Sequence, residues 1–140
     1  MKVELLAICD AATDIQGRLN ILGVFEGIAA PKTPVTRDRC TLVTRMRFFK
    51  DEAGSHEMAI RFRNAKGVQM TPEMKAKFAV KISGNRKSVA VNMILNINQI
   101  KIPEFGEHEI ALFLDETFQS SIPLIVARSV KNRVQGTMDN

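Results

Sequence analysis

The chain has 140 residues, 45% hydrophobic and 25% charged, with a formal net charge of +5. That balance excludes global disorder and fits one soluble domain, which at this length buries about 68% of the surface its unfolded chain exposes. Eight Phe with no Trp or Tyr argue against carbohydrate and single-stranded nucleic-acid sites built on those rings, and the charge favours acidic partners without matching a dedicated nucleic-acid binder.

The first apolar run is too short and too soon acidic for a signal peptide or a membrane span, so the expected location is cytoplasmic. Residues 3–9 read as the first strand and 10–17 as a turn-rich loop. Residues 19–29 read as the second strand, where Gly23 and Gly27 mark a bulge or the close approach of another backbone. Pro31 and Pro34 then stop the sheet. Cys40, Leu42, Met46 and Phe48 alternate on one face of the next stretch, and Met58, Ile60 and Phe62 do the same after a glycine turn at 51–55. Successive side chains of a strand point to opposite faces, so this segment predicts a hairpin over residues 40–63 with one apolar side. Pairing Asp51 with Ser55 sets Phe48 opposite Met58, Met46 opposite Ile60 and Arg45 opposite Arg61. The facing arginines call for an acidic neighbour or water.

A turn at 64–67 follows, and Pro72 argues against a long central strand there. Residues 77–82, 89–97, 107–115 and 122–126 complete about eight strands with no long amphipathic helix between them. The pattern predicts an all-β fold, an antiparallel two-sheet sandwich of the immunoglobulin-like kind spanning residues 1–126, although a closed barrel satisfies the same alternation. Residues 127–140 form a basic tail. Val126, Val130, Val134 and Met138 recur there every four residues, a helical spacing, and Val130 and Val134 are the expected contacts with a second copy of the chain.

Catalytic and metal chemistry find little support. His56 and His108 lack ligand spacing to Cys or another His, and Glu107 and Glu109 point away from the imidazole between them. Asp10 and Asp14 share a loop without the acidic series of a calcium site, and Asx-type capping explains them. Cys9 and Cys40 fall on positions expected to face inward, where a free thiol acts as a small hydrophobe. No nucleophile elbow or phosphate loop is present. No cofactor, metal or catalytic residue is therefore expected. The remaining chemical feature is the cationic face of Arg45, Arg47, Arg61 and Arg63, joined by Lys75, Lys77 and Lys81 if their strand lies nearby. Guanidinium groups pair with phosphates and carboxylates, while a solvated, salt-bridged face is the ordinary explanation of such a cluster.

Cys9-Asp10 followed by Gly17-Arg18-Leu19-Asn20-Ile21-Leu22-Gly23-Val24-Phe25 resembles a family of small bacterial proteins of unknown function. The likeness continues through residues 43–48, 106–115 and 122–126. The resemblance implies a single bacterial domain and brings no activity, cofactor or site residue. Residues 106–115 with 122–126 also resemble the last hairpin of immunoglobulin-like sandwiches.

Three functions follow as expectations. The first is a non-enzymatic protein-binding or self-assembly module, a homo-oligomer. The second is an electrostatic binder of nucleic acid, an acidic protein or another anion through the four arginines. The third is a hydrolase or isomerase with a pocket near Asp10, Asn20 and His108.

Overall fold

The computed structural model describes residues 1–129. One sheet contains β1 (Lys2–Ile15), β2 (Arg18–Phe25), β4 (Val35–Phe49) and β7 (Ser88–Ile102). The other contains β3 (Gly27–Ala30), β5 (Gly54–Arg63), β6 (Met74–Val80), β8 (Gly106–Leu114) and β9 (Thr117–Arg128). The first sheet runs β2-β1-β4-β7 and the second β3-β9-β8-β5-β6. Neighbours are antiparallel except β3, which runs parallel to β9.

One apolar cluster joins the two sheets. Ile8, Leu42, Met46, Phe48 and Ile102 from the first meet Met58, Ile60, Phe62, Ile110, Leu112 and Leu124 from the second. The sheets therefore stack face to face as a sandwich, each large side chain contributing about 1.5–3 kcal/mol by leaving water. Every inward residue expected of residues 40–63 sits in this cluster: Cys40, Leu42, Met46, Phe48, Met58, Ile60 and Phe62.

The hairpin itself is not formed. β4 pairs with β1 and β7, β5 pairs with β6 and β8, and a 3-10 turn at Lys50–Glu52 carries the chain from one sheet to the other. Phe48 is thus opposite Val89 rather than Met58, and Arg45 lies opposite Asn92 while Arg61 lies opposite Ala111. Two apolar faces can meet side by side in one sheet or across the core, and a period of two is the same in both. β4 is long enough to take a strand on each edge, and satisfying both edges leaves none for β5.

β1 does not stop at residue 9. It continues through the expected loop to Ile15 and turns at Gln16 and Gly17, both with positive φ, as a tight hairpin requires. The pairing of β1 with β4 ends at Cys9 and Thr41, while its pairing with β2 runs on to Ile15 and Arg18. At the hairpin tip Asn92 Nδ2 on β7 donates to Asp14 Oδ2 at 3.2 Å and to the Gly17 carbonyl at 3.3 Å. The free end of the hairpin therefore reaches over the outer face of the first sheet. Cys9 and Val43 are fully buried yet stand outside the main core cluster. Cys40 enters that core as expected. Cys9 is in register with Thr41, so it lies on the opposite face of the sheet, its thiol donating to the Thr41 carbonyl at 3.4 Å.

The expected second strand divides at Glu26, where the chain leaves the first sheet and enters the second; the Ile125 amide donates to the Glu26 carbonyl at 2.7 Å. Gly23 has φ +71°, and a Cβ there would fall 2.8 Å from Asp10 Cγ. The group that approaches this glycine is a side chain, not a backbone. Gly23→Ala is expected to cost about 1 kcal/mol, because alanine is strained at positive φ and must displace Asp10. Chemical denaturation measures this, and Asp10→Ala should recover part of the loss by opening the space.

The last strand is longer than expected. A tight turn at Asp115 and Glu116, φ 48° and 67°, joins β8 to β9. β9 continues past residue 126 to Arg128, and the Ser129 amide donates to the Ala30 carbonyl at 2.9 Å. Residues 130–140, with Val130 and Val134, lie outside the described residues.

Candidate interaction surface

The four arginines do not share a face. β4 presents Arg45 and Arg47 on the outside of the first sheet. Arg45 Nε donates to Glu4 Oε1 at 3.0 Å, Arg47 Nε donates to Glu4 Oε2 at 2.6 Å, and Arg45 also reaches Asn92 Oδ1 at 3.1 Å. The hydrogen bond from Arg47, aided by Arg45, holds the Glu4 carboxyl below its usual range despite partial desolvation. β5 presents Arg61 and Arg63 on the outside of the other sheet. Arg61 pairs with Glu73 and Arg63 with Glu109. The Arg61 guanidinium lies 4.1 Å from the centre of the Phe113 ring, and Arg63 lies 5.4 Å from the same ring. Each arginine is thus committed to a carboxylate, which answers the need for acidic neighbours on each face separately. The hairpin that would have gathered all four does not exist, so a single anion cannot span them. β6 lies beside β5 as the lysine reading required, with Lys77 opposite Glu57 and Lys75 3.5 Å from Glu73.

The residues of the enzymatic reading are likewise apart. Asp10 is paired with Arg37 at 2.6 Å, Asn20 is exposed on β2, and His108 is buried on the inner side of β8 with Nε2 donating to the Glu104 carbonyl at 2.9 Å. Asp14 Oδ1 accepts the Gly17 amide at 2.9 Å, the turn-capping geometry expected of it. Among the described residues no group of His, Cys, Asp and Glu is arranged to hold a metal ion. No helix there is long and apolar enough to cross a membrane. Both cysteines are free, and burial raises both thiols.

His56 has a more definite environment. Nδ1 donates to Asp115 Oδ2 at 2.6 Å and Nε2 to the Glu52 carbonyl at 2.6 Å. Both partners are acceptors, so the site is fully satisfied when each ring nitrogen carries a proton. The Glu52 carbonyl first and Asp115 second hold its pKa above the usual value. Glu52 also binds the N-terminal ammonium, and the Glu57 amide donates to Asp115 Oδ1 at 2.8 Å. These groups tie the chain's first residue, the turn after β4, the start of β5 and the β8–β9 turn together. Every acceptor is satisfied within the protein, which is the arrangement of a structural clamp.

The surface that sequence reasoning missed lies on the β1–β2 hairpin. Ile15, Leu22 and Val24 are 60%, 69% and 64% exposed. Val24 pairs with Cys9, Leu22 with Ala11 and Ile15 with Arg18, so the three stand on one side of the ribbon. β2 is the edge of its sheet, and Arg18 is its only charged residue. Edge strands usually carry charges or bulges that discourage pairing, and Leu22 and Val24 stand exposed together on this edge, with Ile15 beyond the Thr13–Asn20 pair at the hairpin end. Leu22 and Val24 share a parity in the sequence. Their neighbours Ile21 and Phe25 are also apolar, which hides the fact that one side is uncovered.

No curated protein and no solved structure matches this chain. A family model described as a family of unknown function, DUF6941, matches residues 4–127. That span takes in all nine strands of the described residues except the first two residues of β1 and the last of β9, and the chain belongs to this family.

Proposed function

We propose that this protein is a non-enzymatic assembly module that pairs with a second copy of itself through the free edge of β2. The observation that carries the reading is the exposed row of Ile15, Leu22 and Val24 beside an edge strand with one charge. Two antiparallel copies of such an edge meet across a two-fold axis without facing like charges, and the apolar side chains bury one another. The immunoglobulin-like description of the sandwich is supported by a short strand parallel to the last strand and by the consecutive β8–β9 hairpin. The two free thiols are in keeping with a reducing, cytoplasmic setting in a bacterial cell.

Light scattering is expected to give a dimer or larger species at micromolar concentration. Leu22→Lys should convert it to a monomer with an unchanged circular dichroism spectrum, since Leu22 is exposed and contributes little to folding. A wild-type monomer, or a Leu22→Lys protein that still assembles, defeats the reading.

A further inference from the structure

The other edge of the first sheet has a different character. β7 has 15 residues, among the described residues pairs only with β4, and contains a single charged residue, Lys101. From Ser88 to Asn98 its free edge therefore offers a row of backbone donors and acceptors about 35 Å long, beyond which Gln99, with φ 55°, interrupts the extended backbone. β6, the corresponding edge of the second sheet, lies on the same flank. Between them Phe62, Met70, Pro72, Met74, Ile97 and Ile100 line a cleft of about 440 Å³. From Met74 to Pro103 the sequence contains Lys75, Lys77, Lys81, Arg86, Lys87 and Lys101 and no Asp or Glu.

We infer that this flank binds an extended, acidic segment of another protein, which adds a strand to the β7 edge and seats one large apolar side chain in the cleft. A strand edge pairs with peptide backbone, and a pocket beside it selects a side chain. The methionines in the cleft adapt to an aliphatic or aromatic anchor of varied shape. The cations choose the partner's sign. Nucleic acid fits less well: phosphates accept hydrogen bonds but cannot satisfy the edge carbonyls, and the chain has no Trp or Tyr on which bases could stack.

A phage-displayed library of random short peptides, selected on the full-length protein, tests this. Enriched peptides should carry several Asp or Glu around one Leu, Met or Phe. Their binding should weaken about tenfold or more with the exposed triple variant Lys81→Glu, Lys87→Glu, Lys101→Glu, and more at higher salt. Hydrogen exchange should slow along residues 88–102 when such a peptide binds. Leu22→Lys should leave the affinity unchanged, which separates this site from the β2 contact. No enrichment, binding that survives the charge reversals, protection elsewhere, or displacement of the peptide by double-stranded DNA at equal charge concentration each overturns the inference.

Discussion

Phe48→Ala is expected to lower the unfolding free energy by about 3–5 kcal/mol, a large part of the 5–15 kcal/mol that a domain of this size has in all. Phe48 has no exposed surface, and its ring meets Phe78 edge-on at 5.8 Å and His56 at 5.0 Å. Those contacts cross from the first sheet to the second, so the truncation opens a cavity where the layers join. The next residue supplies the control: Phe49 is 41% exposed and Phe49→Ala should cost far less. Urea denaturation of both variants measures the difference. A double-mutant cycle between Phe48 and Phe78 should return a coupling of about 0.5–1.5 kcal/mol. If the Phe48 and Phe49 variants were equally stable, the assignment of β4's faces would fail, and a larger loss at Phe49 would reverse it.

This same residue shows how far alternation carries. Period two correctly separates Phe48 from Phe49 and places Met46, Ile60 and Phe62 in the core, because burial depends only on which side a residue occupies. Strand partnership depends on chain segments far apart in sequence, and there the expected β4–β5 pairing fails. The arginines inherit that failure. Their outward parity is legible, but a sandwich has two outer faces, and only the register with Glu4 on β1 and Glu109 on β8 tells which face each arginine takes. Gly23 was visible as an irregularity, while the cause, an Asp10 carboxylate tied to Arg37, requires knowing that β1 runs on past residue 9. Cys9 reads as inward because its neighbours are apolar, yet it is buried on the outer side of the sheet, in register with Thr41 and away from the main core. The acid-free stretch around β7 is fully legible as composition. Its meaning depends on β6 and β7 flanking one cleft, which is a matter of topology.

The pH dependence of stability should reveal the His56 clamp. His56 titrates above its ordinary value in the folded chain, so its contribution is complete below the unfolded pKa of about 6.5 and disappears as pH rises through the folded pKa. Asp115 and Glu52 behave in the opposite sense. His56 principally holds Asp115 down and the N-terminal ammonium principally holds Glu52 down, so their contributions are complete above the unfolded carboxylate pKa of about 4 and vanish as pH falls through the folded values. All three contributions are complete together only between roughly pH 4.5 and 6.5. The urea midpoint should therefore peak in that window and decline towards pH 8, whereas a clamp built on neutral histidine would strengthen on that side. His56→Gln retains polar contacts but cannot carry the charge, and should flatten the alkaline limb. Asp115→Asn should weaken both limbs, since it removes the partner of His56 and a carboxylate that accepts the Glu57 amide. At pH 6 each variant is expected to lose about 1 kcal/mol, a hydrogen bond to a charged group reduced by the exposure of Asp115. The double variant should lose less than the sum, because the two side chains lose one shared bond. A midpoint that rises steadily from pH 5 to pH 8 in the wild type would mean that His56 is neutral and that its two acceptors are not what orders the β8–β9 turn.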